Sequence, residues 1–190
     1  VPKIDFTLQA VDFDIAKSFA AFNTVEQIAP IAKYTQGKVS LNFHLKAHLN
    51  QQMEPIAETM NGDGRLMSKS LTITGSDALQ QFATLIKSDR YKEAKIKDID
   101  GSFELENGRL TVSPMDIKWN QSKAVFGGSQ GVDQSLDYTL STEIPRSELG
   151  DADQLITGLM AKGGDLAKNI NLGESINLNV FIKGSLDQPK

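Results

Sequence analysis

The 190-residue sequence contains no cysteine, two histidines and one tryptophan. Without cysteine there is no disulfide framework, no cysteine zinc site, no iron–sulfur cluster and no thiol nucleophile. A cysteine-free chain suits either redox environment, so composition leaves the compartment open. Charge of one sign is also scarce. Twenty basic residues stand against 24 acidic ones, a net charge of −4, spread evenly, which provides no electrostatic footprint for nucleic acid. No run of about 18 apolar residues occurs, so nothing here crosses a membrane as a helix. The chain opens on Val1 without a signal-peptide pattern and is read as an excised or processed piece of a longer protein.

What is present is ordinary folded-protein material. The chain is 39% hydrophobic and 23% charged, proportions that exclude disorder. A chain of this length buries roughly 70% of its unfolded surface, enough for a core without staples. No low-complexity run or Pro-rich linker divides it, and the expectation is one domain over 1–190.

Strand signals dominate. Across 39–49, Val39, Leu41, Phe43, Leu45, Ala47 and Leu49 fall on one face, and Ser40, Asn42, His44, Lys46 and His48 on the other. This is a strand with one wet face. It would reach roughly 35–40 Å, about twice the usual length. Leu136–Ile144 and Ile176–Ile182 repeat the alternation. Near the start, Ile4, Phe6, Leu8 and Ala10 share a face, then Val11 and Phe13 take the opposite parity, a slip that predicts a β-bulge. Asn107-Gly108 is the preferred pair for a two-residue type I′ turn. Counting outward sets Glu106 against Arg109, Leu105 against Leu110, Glu104 against Thr111 and Phe103 against Val112, so apolar residues meet apolar ones and a carboxylate meets a guanidinium.

Helical signals are fewer and follow strands. Asp14 caps a short helix through Phe22, with Ile15, Phe19 and Phe22 on one stripe. Thr24 and Gln27 form a capping box for a second helix, kinked or split by Pro30 and ended by Gly37. Ser76 or Asp77 caps a third, carrying Leu79, Phe82, Ala83 and Ile86. Pro145 stands near the start of a fourth, with Leu149, Leu155, Ile156, Leu159 and Met160 apolar. The fold class these signals predict is α+β: a long, curved, mainly antiparallel sheet of about eight strands, with three or four short amphipathic helices over one face.

Chemistry-bearing constellations are sparse. His44 and His48 share a strand face, which puts them roughly 13 Å apart, too far to share a metal. No GxSxG elbow accompanies them. Asp98, Asp100 and Glu104 alternate with Ile99, Phe103 and Leu105, as residues of a wet strand face do. Paired carboxylates are nevertheless the residue type for glycosidic cleavage. Asn61-Gly62-Asp63-Gly64 matches the start of a calcium loop but lacks the later acidic ligands, and reads as a turn. Gly127-Gly128 and Gly131 lack the Lys-Ser/Thr of a phosphate loop. Asn120-Gln121-Ser122 fits a glycosylation sequon, and Met115, Ile117 and Trp119 read as core in preference to the lining of a ligand site. The expectation is no catalytic residue, no metal ligand, no cofactor and no defined binding residue.

The stretch from "GDGRLMSKSLTITGSDALQQFATLIKSDRYKEAKIKDIDGSFELENGRLTVSPMDIKW" resembles the C-terminal region of AsmA-like proteins, in particular those of Bacteroidetes. So do the opening "VDFDIAKSFAAFNTVEQIAPIAKYTQGKVSLNFHLKAHL" and the close "INLNVFIKGSLDQPK". The resemblance covers nearly the whole chain. It implies a large Gram-negative envelope protein, anchored in the inner membrane by an N-terminal helix absent from this sequence, with its bulk in the periplasm. It implies a role in outer-membrane biogenesis and in moving or balancing lipid between membranes along a β-groove. It brings no catalytic residues. The partners it implies are phospholipid or another acyl-chain ligand and the remainder of the same chain. The alternative is a structural or protein-interaction module with a closed core and no lipid. A more remote one is an envelope glycan hydrolase using Asp98, Asp100 and Glu104.

Overall fold

The computed structural model describes residues 1–21, 29–85, 87–149, 153–154, 173–185 and 188–189. Eight long strands carry the fold: β1 (Lys3–Asp14), β2 (Thr35–His48), β3 (Asn61–Thr74), β4 (Glu93–Glu106), β5 (Arg109–Trp119), β6 (Ser122–Gly131), β7 (Ser135–Pro145) and β8 (Ser175–Ser185). A two-residue β9 (Gln188–Pro189) follows. They form one sheet in strict chain order, and every neighbouring pair is antiparallel.

The expected three or four helices over the sheet are corrected. Among the described residues two α-helices have both ends defined, α1 (Ile15–Ala21) and α2 (Asp77–Leu85), Asp153 and Gln154 in the reach of the fourth predicted helix are helical too, and the molecule is mostly sheet. Asp14 caps α1, its Oδ1 accepting the Lys17 N–H at 3.1 Å. Pro30, with no N–H to give, opens a 3-10 helix over Pro30–Tyr34, and β2 takes over at Thr35. Gly37, expected as a helix stop, is part of β2. After Pro145 the chain makes another 3-10 turn, Arg146–Glu148. The rest of the second and fourth predicted helices, at 22–28 and 155–160, lies outside the described residues. Helices α1 and α2 sit at one end of the sheet, in the β1–β2 and β3–β4 connections, while the 3-10 turn Ala57–Thr59 lies at the other end, between β2 and β3.

The alternation read from the sequence becomes a set of rows running across the sheet. Cross-strand register places Leu8, Phe43, Gly64, Phe103, Val112, Gly128, Tyr138 and Ile182 side by side, one from each of the eight long strands. Every member is apolar, aromatic or glycine. The row one residue away, on the opposite face, is Thr7, His44, Asp63, Glu104, Thr111, Ser129, Asp137 and Lys183. The hairpin register counted from Asn107-Gly108 is the one observed, with positive φ at both turn residues.

The run Asn61-Gly62-Asp63-Gly64 is not a turn but the start of β3. Its glycines lie on the apolar face beneath Phe43 and Phe103, whose rings meet at 5.5 Å. A Cβ at Gly64 would stand 2.4 Å from the Phe103 ring, and one at Gly62 2.0 Å from the His44 carbonyl oxygen. Glycine here makes room for aromatic rings rather than for a bend.

The bulge read near the N-terminus is present between Ala10 and Phe13, where Asp12 takes φ +51°. Further register shifts fall between Gly37 and Ser40 and between Val112 and Met115, and Asp98 in β4 takes φ +58°. Beyond this line the buried parity changes: Ser68 but then Leu71 in β3, Ile99 but then Ala94 in β4. The apolar side chains therefore stay on one face although the strands slip.

The core divides accordingly. The larger cluster lies at the helical end and includes Val39, Leu71, Ile117, Trp119 and Ile144, with Ile15 of α1 and Leu79, Phe82 and Ala83 of α2 packed onto it. Phe82, Tyr91 and Trp119 form an aromatic triangle with centroids 5.3–5.4 Å apart. The smaller cluster, at the other end, holds Leu45, Ala47, Met60 and Leu105. Replacing Gly64 by Ala should lower the unfolding free energy by about 1–3 kcal/mol, the usual cost of overpacking, read as a fall in the urea midpoint. Adding Phe103→Leu should recover part of the loss, since the two positions share the same space.

Candidate functional site

On the wet face the side chains are occupied by one another. His44 Nε2 lies 2.8 Å from Asp5 Oδ1, and its Nδ1 lies 3.6 Å from Asp63 Oδ1, so one imidazole links β1 and β3 across β2. Lys46 Nζ adds a contact to Asp5 at 3.4 Å. The His44 hydrogen bond, helped by Lys46, holds the Asp5 carboxyl below the usual carboxylate range. His48 does not join this group; its backbone N–H donates to Thr59 Oγ1.

The three carboxylates considered for glycosidic chemistry are all on this face. Asp98 is met by Lys118 Nζ at 2.6 Å. Asp100 accepts two hydrogen bonds from Arg65, from Nε at 2.6 Å and from Nη2 at 2.7 Å. That bidentate pair lowers the Asp100 pKa, the opposite of what a general acid needs. Glu104 is exposed beside Asp63 in the polar row. A shallow open groove of about 370 Å³ runs here, walled by Asn42, His44, Asp63, Arg65, Ser102 and Glu104. Among the described residues no three His, Asp or Glu side chains are grouped to hold a metal ion.

The remaining sequence candidates fall into structural places. Trp119 and Ile117 are buried, and Met115 packs beside them. Asn120, the sequon asparagine, closes the β5–β6 turn: its Oδ1 accepts the Lys95 N–H at 2.9 Å. Its Nδ2, the atom a glycan would join, is buried without a hydrogen-bond partner. Gly127, Gly128 and Gly131 lie within β6. Gly163-Gly164, which the sequence marks as a helix end, lies outside the described residues.

The apolar face is closed at its two ends and more open toward β1. At the helical end a clasp ties two connections together: Tyr91 Oη donates to Glu148 Oε2 at 3.0 Å, and Arg90 Nη1 meets Glu148 Oε1 at 3.0 Å. Burial first, then the Glu148 carboxylate, raises the Tyr91 pKa. Nearer the middle, Phe126 stacks on Tyr138 at 5.2 Å over the space Gly128 leaves. Burial pushes the Tyr138 hydroxyl up to about 12. At the β1 edge the same face leaves Phe6 44% and Leu8 45% exposed. Neither the clasp nor the row was visible as a motif. The clasp joins residues 57 apart in the chain, and the row requires β3 to be recognised through its glycines.

Among the described residues no helix is long and apolar enough to cross a membrane. No protein-family model, curated protein or solved structure matches the chain.

The buried tyrosines generate a pH prediction. An unfolded tyrosine ionises near pH 10 (about 10), whereas Tyr138 in the folded chain holds its proton to about 12 and Tyr91 is also shifted upward. The folded state therefore binds more protons across that window. Its stability is full below the unfolded value and falls as pH rises toward the folded one. Ultraviolet tyrosinate absorbance and circular dichroism should change together in one alkaline step, and Tyr138→Phe should move that step to higher pH.

Proposed function

We propose that this chain is a non-enzymatic envelope domain that holds the acyl chains of phospholipid against the apolar face of its sheet. The observation that carries the reading is the unbroken apolar row from Ile182 to Leu8, left half-exposed where it reaches β1 with Phe6 beside it. A chain laid along such a row withdraws methylenes from water, each contributing about 0.8 kcal/mol. The opposite face supports the same reading by contrast: its charged groups are spent on cross-strand pairs such as Arg65–Asp100 and Lys118–Asp98. The resemblance of its stretches to AsmA-like proteins supports a role in outer-membrane biogenesis, exercised in the periplasm by a protein tethered to the inner membrane. The bound partner is then the acyl part of a lipid, and no cofactor takes part.

Purification from a Gram-negative host without detergent, followed by native mass spectrometry, should show co-purifying phospholipid. The delipidated protein should draw fluorescent phospholipid from vesicles. Leu8→Asp should reduce that uptake severalfold while Arg65→Gln leaves it unchanged. Lack of both co-purified lipid and uptake would remove the reading.

A further inference from the structure

The two edges of the sheet are finished differently. At one edge β9 pairs with Gly184 and Ser185 and covers that end of β8. At the other edge β1 is hydrogen-bonded only to β2. Edge strands are normally blunted by proline, inward charge or extreme shortness. β1 is 12 residues long and carries three of the exposed large apolar side chains, Phe6, Leu8 and Val11. Its regular stretch is bounded on both sides. Pro2, before the strand, has no N–H to donate, and the bulge at Asp12 breaks the register after Ala10.

We infer that β1 pairs with β1 of a second copy of this chain, antiparallel about a two-fold axis near Thr7. The residues between the two boundaries are self-complementary in that register. Phe6 of one copy faces Leu8 of the other, Ile4 faces Ala10, and Asp5 faces Gln9, so apolar side chains meet on one face and polar ones on the other. No like charges are opposed; a register centred on Asp5 would set carboxylate against carboxylate. The pairing satisfies the outward backbone groups of both strands and continues the sheet from eight long strands into the eight of the second copy. Seven paired residues make a small interface, so the dimer belongs to the weak class of association. The inference is independent of the acyl-chain reading, because pairing requires no lipid.

Sedimentation velocity of the delipidated protein, from micromolar to near-millimolar concentration, should show a monomer–dimer equilibrium. Phe6→Lys with Leu8→Lys in one chain sets lysine against lysine and should abolish the dimer. Both side chains are partly exposed, so thermal melts should report an intact monomer. A chain carrying Phe6→Glu and Leu8→Glu should also be monomeric alone, and mixing the two variants should restore a heterodimer. A wild-type chain that stays monomeric throughout, a dimer that survives the lysine pair, or a mixture that fails to associate would each overturn the inference.

Discussion

Cross-strand register is the constraint on which the rest of this molecule depends. Side chains on a strand alternate with a period of two, so a slip of one residue would turn an apolar face into a polar one. Here eight strands must agree at once. Several local devices hold them in step. The Asn107-Gly108 turn fixes β4 against β5, and the glycine at 64 admits the ring of Phe103 from one neighbour and the carbonyl of Asn42 from the other. The bulges let the register slip where the apolar parity slips, so the two errors cancel.

The wet face has a complementary part. Its ion pairs are exposed, and such pairs contribute little stability individually. Their arrangement is nevertheless informative. His44 reaches a carboxylate on each adjoining strand, Arg65 grips Asp100 with two nitrogens, and Lys183 meets Asp137 across the β7–β8 pair. Each is available only in the observed register. The same pairs, through the His44 hydrogen bond at Asp5 and the Arg65 hydrogen bonds at Asp100, hold both carboxyls below the usual carboxylate range.

Much of this was legible in the sequence wherever alternation was clean. Val39 to Ala47, Leu136 to Ile144 and Ile176 to Ile182 announce strands, and the parity change after Ala10 announces a bulge. Strand β3 was harder to read, because at Gly62 and Gly64 the missing side chain looks like a turn. The close approach of the His44 carbonyl to Gly62 and of the Phe103 ring to Gly64 explains the absence. The helices were overcounted for the opposite reason. Residues 30–34 and 146–148 carry helical spacing, yet each makes only a 3-10 turn, the first passing straight into β2 at Thr35. For the candidate site, the wet character of His44, Asp98, Asp100 and Glu104 followed from alternation. The Tyr91–Glu148 clasp did not, since no local pattern reports a contact between two connections so far apart in the chain.

Strict chain order in the sheet also bears on how the molecule is made. Every long strand finds its partner in the segment that immediately precedes or follows it, so no strand must wait for a distant one. Growth can proceed as one hairpin added to the last, as in a linear array where each unit is stabilised by its neighbour. During synthesis each emerging strand meets an edge already formed, and the edge advances with the chain. Such an assembly has a direction, running strand by strand from β1 to β8.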